Sequence, residues 1–231
     1  MRIAICLFGK AGGMSGQDGV GDPVDIEACA NSYYKHIFET NPPPHIFIHS
    51  WSVEKKEEIL RLYRPISHLI EPQIVFSEDK VINQFRSRWY STKKVLELKK
   101  AYETEVDIKY DCVMVLRFDA IFHTDLIFKD YDLNFFWASV APNRDQFDVL
   151  RSEGKYMQDF WFFSNSKAMD WLGKISDNYL EGNCHKVAYE HINQKYQIKY
   201  TLMSARDFDL YRWYKGTDTN VPGKWYVGIT R

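Results

Sequence analysis

The stretch that decides the fold is Tyr110-Asp111-Cys112-Val113-Met114-Val115-Leu116-Arg117-Phe118-Asp119. Its apolar residues are continuous, which is typical of a strand buried on both faces of a mainly parallel sheet. The run ends in two charged residues, Arg117 and Asp119. Ligands of open α/β sheets bind just beyond the carboxyl ends of the strands, so this strand end indicates a functional site.

Apolar strand patterns and helical patterns alternate along the chain on both sides of this stretch, less regularly after it. The predicted strands cover residues 2–8, 45–51, 68–76, 111–118, 135–140, 160–163 and 198–202. The predicted helices cover 23–37, 53–63, a long region from Ser77, 166–179 and 188–196. Strands that alternate with helices of this length predict an α/β fold with a mainly parallel central sheet flanked by helices.

Composition limits the partners and the compartment. The chain has 231 residues, 45% of them hydrophobic, which is enough for one full core. Its 30 basic and 31 acidic residues give a formal net charge of -1, so no overall attraction to nucleic acid is expected. Four cysteines without C-x-x-C spacing indicate free thiols in a reducing cytosol. With no apolar run long enough to span a bilayer, we expect a cytoplasmic protein that reaches membranes only peripherally.

A glycine-rich loop follows the first strand. Backbone N–H groups and a helix dipole favour phosphates at such a position, so Gly9 and Lys10 are predicted to contact the phosphates of a ligand. The spacing Gly9-x-x-Gly12-Gly13-x-x-Gly16 is not G-x-G-x-x-G, and no G-K-[ST] follows, which argues against NAD and ATP. The alternative is a mobile surface loop without a ligand.

The two charges at the strand end suit phosphate chemistry. The oxygens of Asp119 could hold a hard divalent cation, Mn²⁺ or Mg²⁺, whose open positions take phosphate oxygens. Arg117 could grip a phosphate or orient the carboxylate through both of its oxygens. The alternative is a buried Arg–Asp pair that only closes the strand.

These motifs resemble GT-A type glycosyltransferases, in particular microbial and viral sugar transferases of capsule and surface-glycan type. The resemblance covers roughly residues 1 to 200. Its matching stretches are Ile3-Ala4-Ile5-Cys6-Leu7-Phe8-Gly9, His45-Ile46-Phe47-Ile48-His49-Ser50-Trp51, Leu62-Tyr63-Arg64-Pro65, Arg88-Trp89-Tyr90-Ser91, Tyr110 through Phe122 and Asp159 through Ser166. The family carries a D-x-D-like motif at this strand end. Arg117 replaces its first acid, so Asp119 remains as the motif carboxylate, and Asp125 could supplement it.

The resemblance implies a single Rossmann-like GT-A domain over 1–231, with a nucleotide-sugar-binding half, 1–125, and an acceptor-side half, 126–231. It implies transfer of a hexose from a nucleoside diphosphate-sugar such as a UDP-sugar to a glycan or lipid-linked acceptor, assisted by Mn²⁺ or Mg²⁺. Two alternatives stay open. One is a nucleotidyltransferase that makes the sugar nucleotide, and the other is a non-catalytic nucleotide- or glycan-binding module.

Further residues are candidates for donor and acceptor contacts. Asp159 is the predicted catalytic base, because apolar surroundings can raise the pKa of a carboxyl; otherwise it caps a turn or pairs with Lys155. The donor candidates share a helical region and are Arg86, Arg88 and Lys94 for the diphosphate and Trp89 for stacking on a ring. Their alternatives are a solvated basic face and a core position. The resemblance also implies Glu190 as a weaker candidate for the acceptor site.

Overall fold

The computed structural model describes residues 1–11, 24–139, 157–202 and 207–210. The strands of the described chain are β1 (Ile3–Gly9), β2 (His45–Ser50), β3 (Ser67–Ile70), β4 (Cys112–Arg117), β5 (Ala120–Phe122), β6 (Phe136–Ala138), β7 (Trp161–Ser164), β8 (Ile198–Tyr200) and β9 (Phe208–Leu210). The α-helices are α1 (Ile26–Tyr33), α2 (Lys56–Tyr63), α3 (Lys80–Glu105), α4 (Ser166–Leu172), α5 (Ile175–Asn178) and α6 (Cys184–Asn193). A π-helical turn, Tyr34–Phe38, continues α1, and two short 3-10 helices cover Val53–Lys55 and Phe128–Asp130.

Seven of the described strands form the central sheet in the order β3-β2-β1-β4-β7-β6-β8, and β5 pairs with β9 in a small second sheet. The pairs β1–β2, β1–β4, β2–β3 and β6–β8 are parallel, while β7 runs antiparallel to both of its neighbours. The expected α/β class, Rossmann-like with a mainly parallel sheet flanked by helices, is therefore confirmed. The sheet takes strands from both of the expected halves of the chain, and their division at residue 125 stays a prediction.

The sheet is buried on both faces, as the continuous apolar strands require. In β4, Cys112, Met114 and Leu116 enter one core together with residues of α1 and α2. Val113 and Val115 enter the other core, which is covered by α3, α4, α5 and α6. Alternate residues of one strand thus serve two hydrophobic layers, because successive side chains in a strand point to opposite faces.

Some predicted element bounds are wrong. The expected strand 68–76 is regular only over Ser67–Ile70. The helix expected over 166–179 is interrupted after Leu172, where a Cβ on Gly173 would lie 3.3 Å from the Leu96 side chain of α3. The expected cap Asp22-Pro23 lies outside the described residues, and Asp25 caps α1 by accepting a hydrogen bond from the Ala28 amide.

The strand order has a switch point between β1 and β4, and we call the region outside the carboxyl ends of these two strands the crevice. The chain proceeds from β1 through β2 to β3 on one side of β1, whereas β4 lies on the other side. Ligands in open α/β sheets bind at such a switch point, outside the carboxyl ends of the strands. The carboxyl ends of β1 and β4 lie side by side, since Phe8 of β1 is paired with Arg117 of β4.

Two further sequence features can be checked. All four cysteines are free thiols, and Cys6, Cys29 and Cys112 are buried, as expected. Among the described residues, no helix combines the length and the apolar character that crossing a bilayer requires.

Candidate functional site

A short turn links β4 to β5 at the crevice and carries the strand-end carboxylate. Tyr33 of α1 hydrogen-bonds to both ends of this turn. Its hydroxyl donates to the Arg117 carbonyl oxygen at 2.7 Å and accepts from the Ala120 amide at 3.1 Å. Burial raises the pKa of Tyr33 well above its usual value, so the phenol stays neutral and can make both bonds. A buried side chain of α1 therefore restrains the turn, and with it the position of Asp119 relative to β4.

Arg117 and Asp119 form a bidentate ion pair. Nε and Nη2 of Arg117 donate to the two carboxylate oxygens of Asp119 at 2.8 and 2.7 Å. Both side chains are nearly buried, with 12% and 6% of their surface exposed. The pair fits both an orienting role of Arg117 and the alternative of a buried Arg–Asp pair that only closes the strand. The orienting role and a contact between Arg117 and phosphate stay predictions.

A second carboxylate lies against the same guanidinium group. Asp159 lies two residues before the start of β7. Its Oδ1 lies 3.9 Å from Nη1 of Arg117. Arg88 of α3 donates from Nε to Oδ2 of Asp159 at 3.2 Å and from Nη2 to the Asp159 carbonyl at 2.9 Å. Two guanidinium groups thus converge on one carboxylate. We name Arg88, Arg117, Asp119, Asp159 and His185 the crevice cluster.

His185 completes the crevice cluster from the first turn of α6. Its Nδ1 accepts a hydrogen bond from the Asp159 amide at 3.2 Å and lies 3.5 Å from Oδ1 of Asp159. Burial lowers the pKa of His185, so the ring is neutral at neutral pH. The positive charge of the cluster is accordingly carried by Arg88 and Arg117.

The electrostatics of Asp159 differ from the sequence expectation. Burial by itself would raise the pKa of Asp159, but His185, Arg88 and Arg117 together lower it to about 2. The expectation that apolar surroundings raise this pKa is wrong, because His185 of α6, Arg88 of α3 and Arg117 of β4 together outweigh burial. Burial also raises the pKa of Asp119, although Arg117 opposes that effect.

The described residues do not fit a divalent cation at Asp119. Both of its oxygens accept hydrogen bonds from Arg117. Within the described part of the chain, no group of three or more His, Cys, Asp or Glu side chains is arranged to hold a metal ion. Asp125 does not supplement the site, since it is 53% exposed and pairs with His36 at 2.7 Å.

The glycine at the end of β1 is held from two sides. The Gly9 amide donates to Ser91 Oγ at 2.9 Å, and its carbonyl accepts from the Trp51 amide at 3.2 Å. The positive φ of 97° at Gly9 is a conformation that favours glycine. The amide of Gly9 is thus used within the fold, and its phosphate contact and that of Lys10 stay predictions. Residues 12–23 of the loop lie outside the described residues.

The other candidates of the long helix lie outside the crevice cluster. Trp89 is a core residue with 1% exposure, so in this conformation it cannot stack on a ligand ring. Arg86 donates to the carbonyl oxygens of Leu180 and Phe76, and Lys94 pairs with Glu97 on the helix surface. For Trp89 and Lys94 the structure agrees with the alternatives of a core position and a solvated face.

One acceptor-side expectation changes, and another falls outside the described residues. Glu190 lies on the exposed side of α6, 3.7 Å from Lys186, and not in the crevice cluster. Lys155, the alternative partner of Asp159, lies outside the described residues.

Sequence reasoning missed His185 as a member of the cluster. The signal that could have placed His185 at a helix start is the N-cap residue Asn183, whose side chain accepts a hydrogen bond from the His185 amide.

Solved structures give a likeness of fold, while the other two comparisons give none. No protein-family model and no curated protein matches the chain. A solved structure of a nucleoside-diphosphate-sugar pyrophosphorylase from Vibrio cholerae RC9 aligns with 11% identity and a TM-score of 0.49, over 90% of this chain and 95% of that chain. A likeness of this size does not define a function.

Proposed function

We propose that the chain is a glycosyltransferase that moves a hexose from a nucleoside diphosphate-sugar to a glycan or lipid-linked acceptor. The observation that carries the proposal is the crevice cluster, in which two guanidinium groups are buried at the carboxyl ends of β1 and β4. Burying charges is expensive and rarely improves stability, so such a cluster at a ligand-binding position favours a functional role. Guanidinium groups bind phosphates through two parallel hydrogen bonds, which suits the diphosphate of such a donor.

Asp159 is the proposed base. During transfer, the acceptor hydroxyl oxygen forms a bond to the anomeric carbon, its proton goes to Asp159, and the bond from that carbon to the diphosphate oxygen breaks. At rest the carboxyl is a weak base, because its pKa is about 2 beside Arg88, Arg117 and His185. A diphosphate that draws the two guanidinium groups toward itself would remove this effect, so Asp159 becomes basic when the donor is bound.

Donor hydrolysis tests the proposal. A panel of UDP- and GDP-sugars is incubated with the protein without acceptor, and we expect slow release of the nucleoside diphosphate from at least one donor. Asp119→Ala leaves Arg117 without its orienting carboxylate and should abolish this release. Asp177→Ala is the matched control, because Asp177 is 51% exposed and pairs with Lys93 on the surface. Release at the original rate from a folded Asp119→Ala protein would contradict the site.

A nucleotidyltransferase that makes the sugar nucleotide is the second candidate, because two buried guanidinium groups suit a nucleoside triphosphate equally well. Incubation with a nucleoside triphosphate and a sugar 1-phosphate distinguishes the two enzymes. Release of pyrophosphate, with no hydrolysis of any sugar nucleotide, would favour the nucleotidyltransferase. Tight binding of nucleotides without turnover in either assay would favour a binding module.

A further inference from the structure

The carboxylate that a cation would use at the end of β4 is already paired with a guanidinium group. Nε and Nη2 of Arg117 occupy both oxygens of Asp119 at 2.8 and 2.7 Å. A cation at these oxygens would lie beside the positively charged guanidinium group, and the two like charges would repel each other. Displacing Arg117 would leave its guanidinium group buried without its partner, which is strongly unfavourable.

We infer that Arg88 and Arg117 neutralise the donor diphosphate in place of a divalent cation. The inference rests on the proposed glycosyltransferase function and changes the chemistry of its donor site. Two guanidinium groups carry the same double positive charge as Mn²⁺ or Mg²⁺. Unlike a cation, they are covalently part of the chain and do not have to be bound from solution.

The geometry around Asp159 shows where the anion binds. Arg88 Nε lies 3.2 Å from Oδ2 of Asp159, and Arg117 Nη1 lies 3.9 Å from Oδ1, so the two guanidinium groups face one carboxylate from different elements. Arg117 is oriented by Asp119, and the Arg88 guanidinium packs 3.9 Å from the centre of the Phe8 ring. Carboxylates and phosphates present similar oxygen pairs to guanidinium groups. The Asp159 carboxylate therefore marks the side of the two guanidinium groups to which a phosphate group binds, and the bound phosphate draws them away from Asp159.

Calorimetry tests the inference with UDP, GDP and inorganic pyrophosphate as probes. Each is titrated into the full chain in EDTA and again with Mn²⁺, and Mn²⁺ is titrated alone. We expect at least one of the nucleotides to bind with the same affinity under both conditions, and Mn²⁺ alone to give no binding heat. Nucleotide binding that requires Mn²⁺ would overturn the inference and leave the proposed function intact. Absence of binding by either nucleotide under both conditions would overturn both.

Substitutions test whether pyrophosphate binds to the buried guanidinium groups or is attracted by any positive charge of the protein. Arg88→Gln should weaken pyrophosphate binding in EDTA about tenfold or more, the usual size of a lost charge-assisted hydrogen bond. Arg61→Gln is the matched control, because Arg61 lies on α2 with a side chain 63% exposed. It should bind pyrophosphate like the unchanged protein.

The buried pair needs its own variant, since Arg117→Gln alone leaves Asp119 unpaired and can destabilise the fold. The double substitution Arg117→Gln with Asp119→Asn removes both charges and keeps a hydrogen-bonding pair of similar size. We expect this variant to melt cooperatively and to lose pyrophosphate binding in EDTA. Unchanged pyrophosphate affinity in the folded double variant would overturn the role of Arg117.

Discussion

At the scale of single residues, the crevice depends on contacts that join distant parts of the chain. One is a hydrogen-bond chain from β1 through α3 to the end of β3. The Gly9 amide donates to Ser91 Oγ at 2.9 Å, Ser91 bonds His49 Nδ1 at 2.7 Å, and His49 Nε2 contacts Glu71 at 3.1 Å. Burial lowers the pKa of His49, so its neutral ring accepts at one nitrogen and donates at the other. This chain fixes the end of β1 next to the crevice cluster.

Ser91→Ala should therefore reduce stability. The substitution leaves the Gly9 amide and a buried ring nitrogen of His49 without the hydroxyl that bonds both. An unsatisfied buried polar group costs about 1–3 kcal/mol, so we expect the free energy of unfolding in urea to fall by that amount.

Thr104→Ala is the control on the same helix. Its hydroxyl donates only to the Lys100 carbonyl at an exposed position, so the change should stay within about 0.5 kcal/mol. Equal stability of the two variants would show that the hydrogen-bond chain does not support the end of β1.

At the scale of elements, α3 connects the crevice to the opposite end of the sheet. Its N-cap Asp79 accepts hydrogen bonds from the Val81 and Ile82 amides, and the helix then runs for 26 residues to Glu105. Arg88 reaches the crevice with 8% of its side chain exposed, so the alternative of a solvated basic face is wrong for this residue. The sequence could not distinguish Arg88 from Lys94, because only packing decides which side of the helix is covered.

The far end of α3 carries a buried ionic network. Lys99 Nζ contacts Glu103 at 3.1 Å and donates to Asp170 of α4 and to Ser166 Oγ, both at 2.7 Å. Lys99→Met keeps the volume but removes the cation, so Glu103 loses a buried partner. We expect the free energy of unfolding to fall by about 3–5 kcal/mol in urea titrations.

Lys100→Met is the neighbouring control, because Lys100 is exposed on the same helix. Its effect should stay within about 0.5 kcal/mol. If Lys99→Met proves as stable as the control, the prediction that the network stabilises the fold is wrong.

At the scale of the whole molecule, buried histidines make stability depend on pH. Burial lowers the pKa of His49, His185 and His191 below the ordinary value of 6.5. As pH falls through 6.5, the unfolded chain binds protons that the folded protein does not, so stability decreases. Each such histidine lowers the free energy of unfolding by at most about 1.4 kcal/mol for each pH unit of acidification. Asp159, with a folded pKa of about 2 against 3.8, loses its contribution only below pH 4.

We therefore expect the urea midpoint to fall between pH 7 and pH 5. His49→Gln should reduce the slope of stability against pH, whatever its effect at pH 7, because the substituted side chain does not titrate. A midpoint that stays level between pH 7 and pH 5, or a slope unchanged in this variant, would contradict the assignment of neutral buried histidines.

The sequence by itself determined the α/β class, the mainly parallel sheet and the charged end of β4. These follow from local patterns, since continuous apolar strands, helix caps and short turns are written in consecutive residues. Only the tertiary structure decided which charges meet. Asp159 is forty residues from Asp119 and reaches Arg117 because β7 is antiparallel to β4, while Arg88 arrives through the packing of α3 on β1 and β2. The pKa of Asp159 depends on those neighbours, and no spacing along the chain encodes them.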